Sequence, residues 1–376
     1  MPSDVTSLLQ SLIQIPSVNP DNAPGTDQTG EAAMADYVQS YLQNIGFSVT
    51  QEEILPGRPN VIARCPGSDD RPRILLGPHL DTVTIIGMSI DPFSGSIEGG
   101  KILGRGASDT KGPMAAMLQA LSNCQDALEN LPVAVDFIGF MGEEASQHGS
   151  KHFAKNHAHK YEFALVGEPT SLDIVHVTKG SLWATVATDG KAAHASQPEL
   201  GENAILKLTS SLDRINRKLT ARLATYTHPV LGHSTLNIGT FHGGSIPNVV
   251  PNHAEAQLDI RFTPSLHDDG GALPLLDKFI TEQQLPLRIS KAHENPPMEV
   301  PEEHTWVKKM RAANPDSKPV GAPWFADAAH LNAAGLPAVC IGPGSIDQAH
   351  TKDEFIKIDD LENGVVYFEN FIRSLV

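Results

Sequence analysis

Apolar positions change their period along the chain, and those changes divide it. Val5, Leu8, Leu9, Leu12 and Ile13 fall on one helical face, which predicts an amphipathic helix docked on a core. Residues 31–42 repeat the pattern, with Ala33, Met34, Tyr37, Val38 and Leu42 apolar at helical spacing. Short apolar runs at 60–64, 74–76, 133–140 and 163–166 read instead as buried strands, with 114–121 as a helix between two of them. That alternation predicts an α/β fold, a mostly parallel sheet with helices on both faces.

The pattern changes after Asp173. Residues 174–188 read as a strand pair turning at Lys179-Gly180, 203–219 as a helix and 236–240 as a strand. In 253–262 Ala254, Ala256, Leu258, Ile260 and Phe262 alternate on one face, and 273–284 is helical again. These elements make a small α+β unit of about 120 residues. It is inserted, because a helix at 306–314, a strand at 338–341 and a closing helix at 361–376, with Asp359 or Asp360 near its N-cap, restore the first character. Asn295-Pro296-Pro297 marks the return. The expected domains are therefore 1–174, an insertion at 175–293, and the rest of the first domain at 294–376. No internal repeat or low-complexity tract interrupts this.

A length of 376 residues agrees with two domains rather than one core. The net charge of -16 repels phosphates and anionic lipid, so nucleic-acid and membrane-surface roles are disfavoured. Carboxylates remain good ligands for cations. The three cysteines, Cys65, Cys124 and Cys340, are scattered and odd in number, which implies no disulfide framework and fits a reducing compartment. No basic stretch followed by a long apolar run opens the chain, and no apolar run is long enough to span a membrane. A cytoplasmic location is the expectation.

Ligand-type residues follow the strand-like runs. The run 74–76 leads into His79-Leu80-Asp81, 133–140 into Glu143-Glu144, 163–166 into Glu168, and 338–341 towards His350. In a parallel sheet such positions gather at the carboxyl edge. Histidine and carboxylate donors without cysteine suit zinc in an open site, or cobalt or manganese in its place. Asp81, two residues from His79, can accept its other ring N–H. Asp109, in the glycine-rich turn Gly104 to Gly112, can present one carboxylate to two metals. In the Glu143-Glu144 tandem one residue can bind metal while the other handles a proton.

Each of these residues alone reads more simply as a cap or a surface group; the joint pattern carries the argument. Gly104 to Gly112 lacks the Gly-Lys-Ser/Thr ending of a phosphate loop. His148, His152, His157 and His159 form a second group. His148 and His152 stand at i, i+4 and could chelate, but a solvated helix face is the simpler reading.

Gly77-Pro78-His79-Leu80-Asp81-Thr82-Val83, Gly104 to Gly112, Gly142-Glu143-Glu144, Gly167-Glu168-Pro169 and Gln348-Ala349-His350 together resemble the M20 metallopeptidase family, in order and over nearly the whole chain. The resemblance implies a di-zinc amide hydrolase. Asp109 would bridge the two ions, His79 and Glu168 complete one site, and Glu144 and His350 the other. Glu143 would be the general base and then the acid, and Asp81 would orient His79. A cis peptide is implied at Asp109-Thr110, where Thr110 replaces the methionine more usual in the family. The insertion resembles the family's lid and dimerisation domain, which implies a homodimer. Within it His194 would reach a neighbouring subunit's site and hold an oxyanion, while Asn248 and Arg261 would contact substrate.

Residues 342–354 look closest to the acetylornithine deacetylase branch, so a small N-acetyl amino acid is the leading substrate and arginine biosynthesis the implied pathway. Removal of succinyl groups from diaminopimelate precursors and glutamate-carboxypeptidase action are the alternatives. A degenerate member that only binds a ligand is the alternative outside catalysis. A serine hydrolase is disfavoured because no Gly-x-Ser-x-Gly elbow occurs.

Overall fold

Residue 2 and residues 4–21, 28–68 and 70–376 are described in a computed structural model. The chain divides into two compact units, one of residues 1–176, 300–320 and 326–376, the other of 177–299 and 321–325.

The larger sheet runs in the order Ser48–Leu55, Arg58–Arg64, Ala134–Gly139, Arg73–Pro78, Phe163–Gly167, Ala338–Ile341, then Ile174–Thr178 and Met298–Glu299. Its middle strands are parallel, Arg73–Pro78 pairing with both Ala134–Gly139 and Phe163–Gly167, and Phe163–Gly167 with Ala338–Ile341. Ile74 and Leu76 enter the main core, while Leu75, equally buried, lies outside it. Alternate side chains leave opposite faces, so both faces of this sheet are covered. The main core takes its helical contribution from Val5–Ile13, Ala32–Asn44, Lys111–Asn123, Thr305–Ala313 and Ile358–Arg373.

The second unit holds a four-stranded antiparallel sheet in the order Thr235–Gly243, His253–Phe262, Gly180–Asp189, Arg288–Asn295. Leu182, Ala184 and Val186 join Ala254, Ala256, Leu258, Ile260 and Phe262 in one core with residues of the helices Ala204–Arg214 and Ala272–Glu282. The opposite face carries Trp183, 54% exposed, whose indole N–H donates to Asp259.

Several local expectations are corrected. Ile174–Thr178 and Gly180–Asp189 do not form a hairpin, because the first belongs to the large sheet and the second to the small one. Ala33 is exposed: the buried stripe is Met34, Ala35, Val38, Tyr41 and Leu42, shifted round the helix. The closing helix begins at Ile358 with Lys357 as N-cap. Asp359 and Asp360 sit in its first turn, where their charge favours the helix dipole without capping it. The strands Ser48–Leu55 and Arg288–Asn295 had no clean apolar alternation to betray them; both run along sheet edges and are largely polar. No helix among the described residues is long and apolar enough to cross a membrane.

Candidate functional site

Neighbouring strands set the site. Arg73–Pro78 lies between Ala134–Gly139 and Phe163–Gly167, and Pro78 stands opposite Gly167 while His79 bridges to Phe140. His79, the Glu143-Glu144 turn and Glu168 therefore leave the sheet side by side at its carboxyl edge. Asp109 arrives on the loop before the helix Lys111–Asn123, following the strand Lys101–Leu103. Gly106 in that loop has φ of 84°, and a Cβ there would meet Thr82 and Lys111 at 2.9 Å. The peptide Asp109-Thr110 is cis.

Asp109 is the meeting point. Its Oδ1 lies 3.1 Å from His79 Nε2, and its Oδ2 3.4 Å from His350 Nε2. His350 Nε2 is also 3.0 Å from Glu144 Oε2. His350 adopts φ of 60°, a left-handed conformation uncommon outside glycine. Glu168 is buried, and its Oε1 has no hydrogen-bond partner among the described residues. The structure thus brings His79, Asp109, Glu144 and His350 together by direct contact, with Glu168 and Glu143 close enough to feel their charges.

Asp81 behaves differently from the simple picture. His79 Nδ1 bonds the backbone carbonyl of Asp81 at 2.9 Å, with the carboxylate 3.5 Å away. The carboxylate accepts instead from the backbone N–H of Glu143 at 3.0 Å, that of Glu144 at 3.1 Å, and Asn19 Nδ2 at 2.7 Å. One residue therefore holds the His79 ring through its main chain and shapes the glutamate turn through its side chain.

Glu354 does the same for the Asp109 loop. Its buried carboxylate accepts from Arg105 Nη1 at 2.8 Å and from the backbone N–H groups of Gly106, Ser108 and Asp109 at 3.0, 2.9 and 3.0 Å. Pairing of Lys101–Leu103 with Phe355–Lys357 delivers it there. Thr110 Oγ1 donates to the Gly167 carbonyl at 2.7 Å, tying the same loop to the Glu168 strand. Asp327, buried and bonded by Ser150 Oγ, lies near enough to raise the Glu143 and Glu168 carboxyls.

Crowded acids dominate the electrostatics. Burial, then the charge of Asp109, pushes Glu144 up to about 7 and Glu168 well above the ordinary carboxyl range. Burial and the Glu168 charge raise Glu143 likewise. Burial works against Asp109 too, but His350 and His79 outweigh it and hold that carboxyl low. His350 is raised to about 10 by Asp109 and Glu144. Too many carboxylates share one buried space to ionise together beside the imidazoles of His79 and His350, a donor set that suits divalent cations.

In the second unit, His194 is exposed, with its Nδ1 2.7 Å from Ser196 Oγ. Asn248 accepts from Ala195 N through its backbone carbonyl at 3.1 Å, so the two loops touch. Arg261 is held by Asp259 in two parallel bonds, Nε to Oδ1 at 2.9 Å and Nη2 to Oδ2 at 3.0 Å.

Residues 75–374 match the model of peptidase family M20/M25/M40. The chain belongs to that family. Membership makes it kin to metal-dependent hydrolases, and M20 relatives agree over full length. The chain is 32% identical to the acetylornithine deacetylase of Proteus mirabilis (strain HI4320), over 94% of this chain and 92% of the relative. It is 29% identical to that of Vibrio atlanticus (strain LGP32), over 95% and 96%. The M20 metallo-carboxypeptidase of Sulfolobus solfataricus shares the fold with a TM-score of 0.81 at 21% identity, covering 100% of this chain and 99% of that one. A dinuclear metal-binding M20 peptidase from Bacillus subtilis does so with a TM-score of 0.67 at 15% identity, covering 99% and 96%.

Asn19, Arg105, Asp327 and Glu354 complete the site without any local sequence pattern that marks them. Arg105 and Glu354 lie inside the recognised segments, but nothing local says that they meet across 249 positions. Asn19 and Asp327 carry no sequence signal at all.

Proposed function

We propose that the chain hydrolyses the amide of a small N-acetyl amino acid, in the manner of an acetylornithine deacetylase, with two zinc-class ions. The observation that carries this reading is the meeting of two histidines on the two oxygens of Asp109. Asp109 would be shared, with His79 and Glu168 serving one ion and Glu144 and His350 the other. The unpartnered Glu168 oxygen and the excess of buried acid fit such a centre. When bound, the ions supply Lewis acidity towards the acyl carbonyl and the attacking water.

Glu143 takes the proton of that water and returns it to the leaving amine, a task suited to a carboxyl raised by burial. Asp81 keeps the Glu143 turn in place through its backbone bonds. The second unit serves as lid and dimerisation domain. His194 of a partner subunit donates to the oxyanion, and Asn248 and Arg261 bind substrate. Arg261 must then exchange or share Asp259 for a substrate carboxylate. The setting is the cytoplasm and the step one of arginine biosynthesis.

A substrate panel at fixed zinc or cobalt tests this. N-acetylornithine is expected to turn over fastest, ahead of other N-acetyl amino acids, N-succinyl-diaminopimelate and peptides ending in glutamate. Faster desuccinylation or carboxypeptidase action would reassign the substrate. Metal binding without turnover of any of them would favour a ligand-binding member.

A further inference from the structure

Among the histidines outside the Asp109 cluster, the sequence draws the eye to His148 and His152 at helical spacing. The structure chooses a different pair. His152 Nε2 lies 3.0 Å from Glu52 Oε1, and His157 Nε2 lies 3.1 Å from Glu52 Oε2. One donor atom from each of the three falls within 4.8 Å of the others. None of these residues belongs to the site described above.

The convergence follows from where the helix stops. His152 lies within the helix His148–Asn156, and a continuing helix would turn the residue five positions on well away from it. The helix ends at Asn156, and His157 leaves it with φ of -129°. That turn sets the two imidazoles with ring centres 6.4 Å apart. The buried ring of Phe153 lies 5.2 Å from the His157 ring and fixes it from beneath. Glu52 comes from the edge strand Ser48–Leu55. The three side chains are 37%, 22% and 30% exposed, so an ion and a water can reach them.

We infer that Glu52, His152 and His157 form a second divalent-cation site of the zinc, cobalt or nickel class, with a solvent molecule in the remaining position. Two imidazoles and one carboxylate are a borderline donor set that favours these ions over calcium or magnesium. A tetrahedral zinc with ligands at about 2.0–2.2 Å separates its donors by about 3.3–3.5 Å. The carboxylate–imidazole distances need to open by only a few tenths of an ångström. Binding displaces each Nε2 proton and leaves the ring proton on Nδ1. Lys160 Nζ, now 3.1 Å from His157 Nδ1, must then swing out, which its exposure permits. The bound ion would tie the edge strand of the large sheet to the helix that follows the Glu143-Glu144 turn.

Zinc bound per chain at micromolar free zinc, measured by equilibrium dialysis, tests the site. The comparison is between wild type, the double variant His152→Ala with His157→Ala, and Glu52→Gln. Both variants are expected to hold one zinc fewer than wild type, with unchanged hydrolysis. In wild type, zinc should also shift both ring resonances to the Nδ1–H tautomer. Equal zinc in wild type and the folded variants overturns the site, as does zinc that leaves both rings unmoved. Glu52→Gln keeps size and shape, so it reads the site even if the double variant misfolds. The same comparison in an Asp109→Ala background isolates this site from the Asp109 cluster, whose own metal loss is read from Asp109→Ala alone.

Discussion

The Asp109 cluster and the Glu52 cluster use the same donors, histidine and carboxylate, in opposite surroundings. Around Asp109 the framing carboxylates of Asp81 and Glu354 are buried, each held by a further buried group, Asn19 and Arg105. Around Glu52 the side chains are partly exposed, and the Phe153 ring stiffens the group from below. Burial drives the Glu143 and Glu168 carboxyls well above the ordinary carboxyl range. At Glu52 burial also pulls upward, but hydrogen bonds from His152 and His157 outweigh it and hold the carboxyl below its ordinary range. The proposed Glu52 site would need only donors of the right type, whereas acid–base chemistry needs donors taken out of water and fixed by a surrounding frame.

The strongest way to break this contrast is Glu143→Gln. It keeps the shape and the backbone bonds to Asp81 while removing the proton acceptor. Turnover is expected to fall by about 10²–10⁴ with metal content unchanged. A variant with near-normal rates would deny the buried cluster its special chemistry.

Glu354→Gln attacks the frame rather than the donors. It leaves Arg105 without its buried counter-charge, expected to cost about 3–5 kcal/mol in denaturant unfolding. Metal affinity should also weaken by about 10–100-fold, because the Asp109 loop loses its anchor. Stability lost with metal affinity intact would mean that Glu354 serves folding alone.

On the exposed side, the double variant of His152 and His157 measured in chelator should lose no more than about 1 kcal/mol, as expected for solvent-screened pairs. A loss several times larger would show that the Glu52 cluster is a structural ion-pair core, erasing the distinction.

The gentlest test concerns the thiols. Cys65, Cys124 and Cys340 are free and buried, and burial pushes Cys124 up to about 11. Native protein at mildly alkaline pH should therefore resist alkylation, and all three should react once it is unfolded. Rapid labelling of the folded chain would reveal that the core beneath the buried cluster opens readily.

Much of the first unit was legible because its signals are local. Apolar runs such as Ile74 to Leu76 are long enough to name a strand, and the polar residues just beyond them name an edge of the sheet. Edge strands escaped because half their surface faces water: Ser48–Leu55 carries Gln51, Glu52 and Glu53 in sequence. Helix ends slipped for a similar reason. An acid near a helix start satisfies either a cap or the dipole, and only geometry separates the two.

The chain's order of residues determined its family, its alternation of strand and helix, and the recurrence of histidine and acid after buried strands, because each is carried by neighbours within a few positions. Tertiary structure decided which of those residues touch. It brought the Asp81 carboxylate to the Glu143 turn as well as near His79, set Glu354 beneath the Asp109 loop, and turned His157 towards His152 where a helix ends. These pairings join segments far apart in the chain or depend on one backbone angle. They exist only once strand order and burial have fixed which side chains share a space.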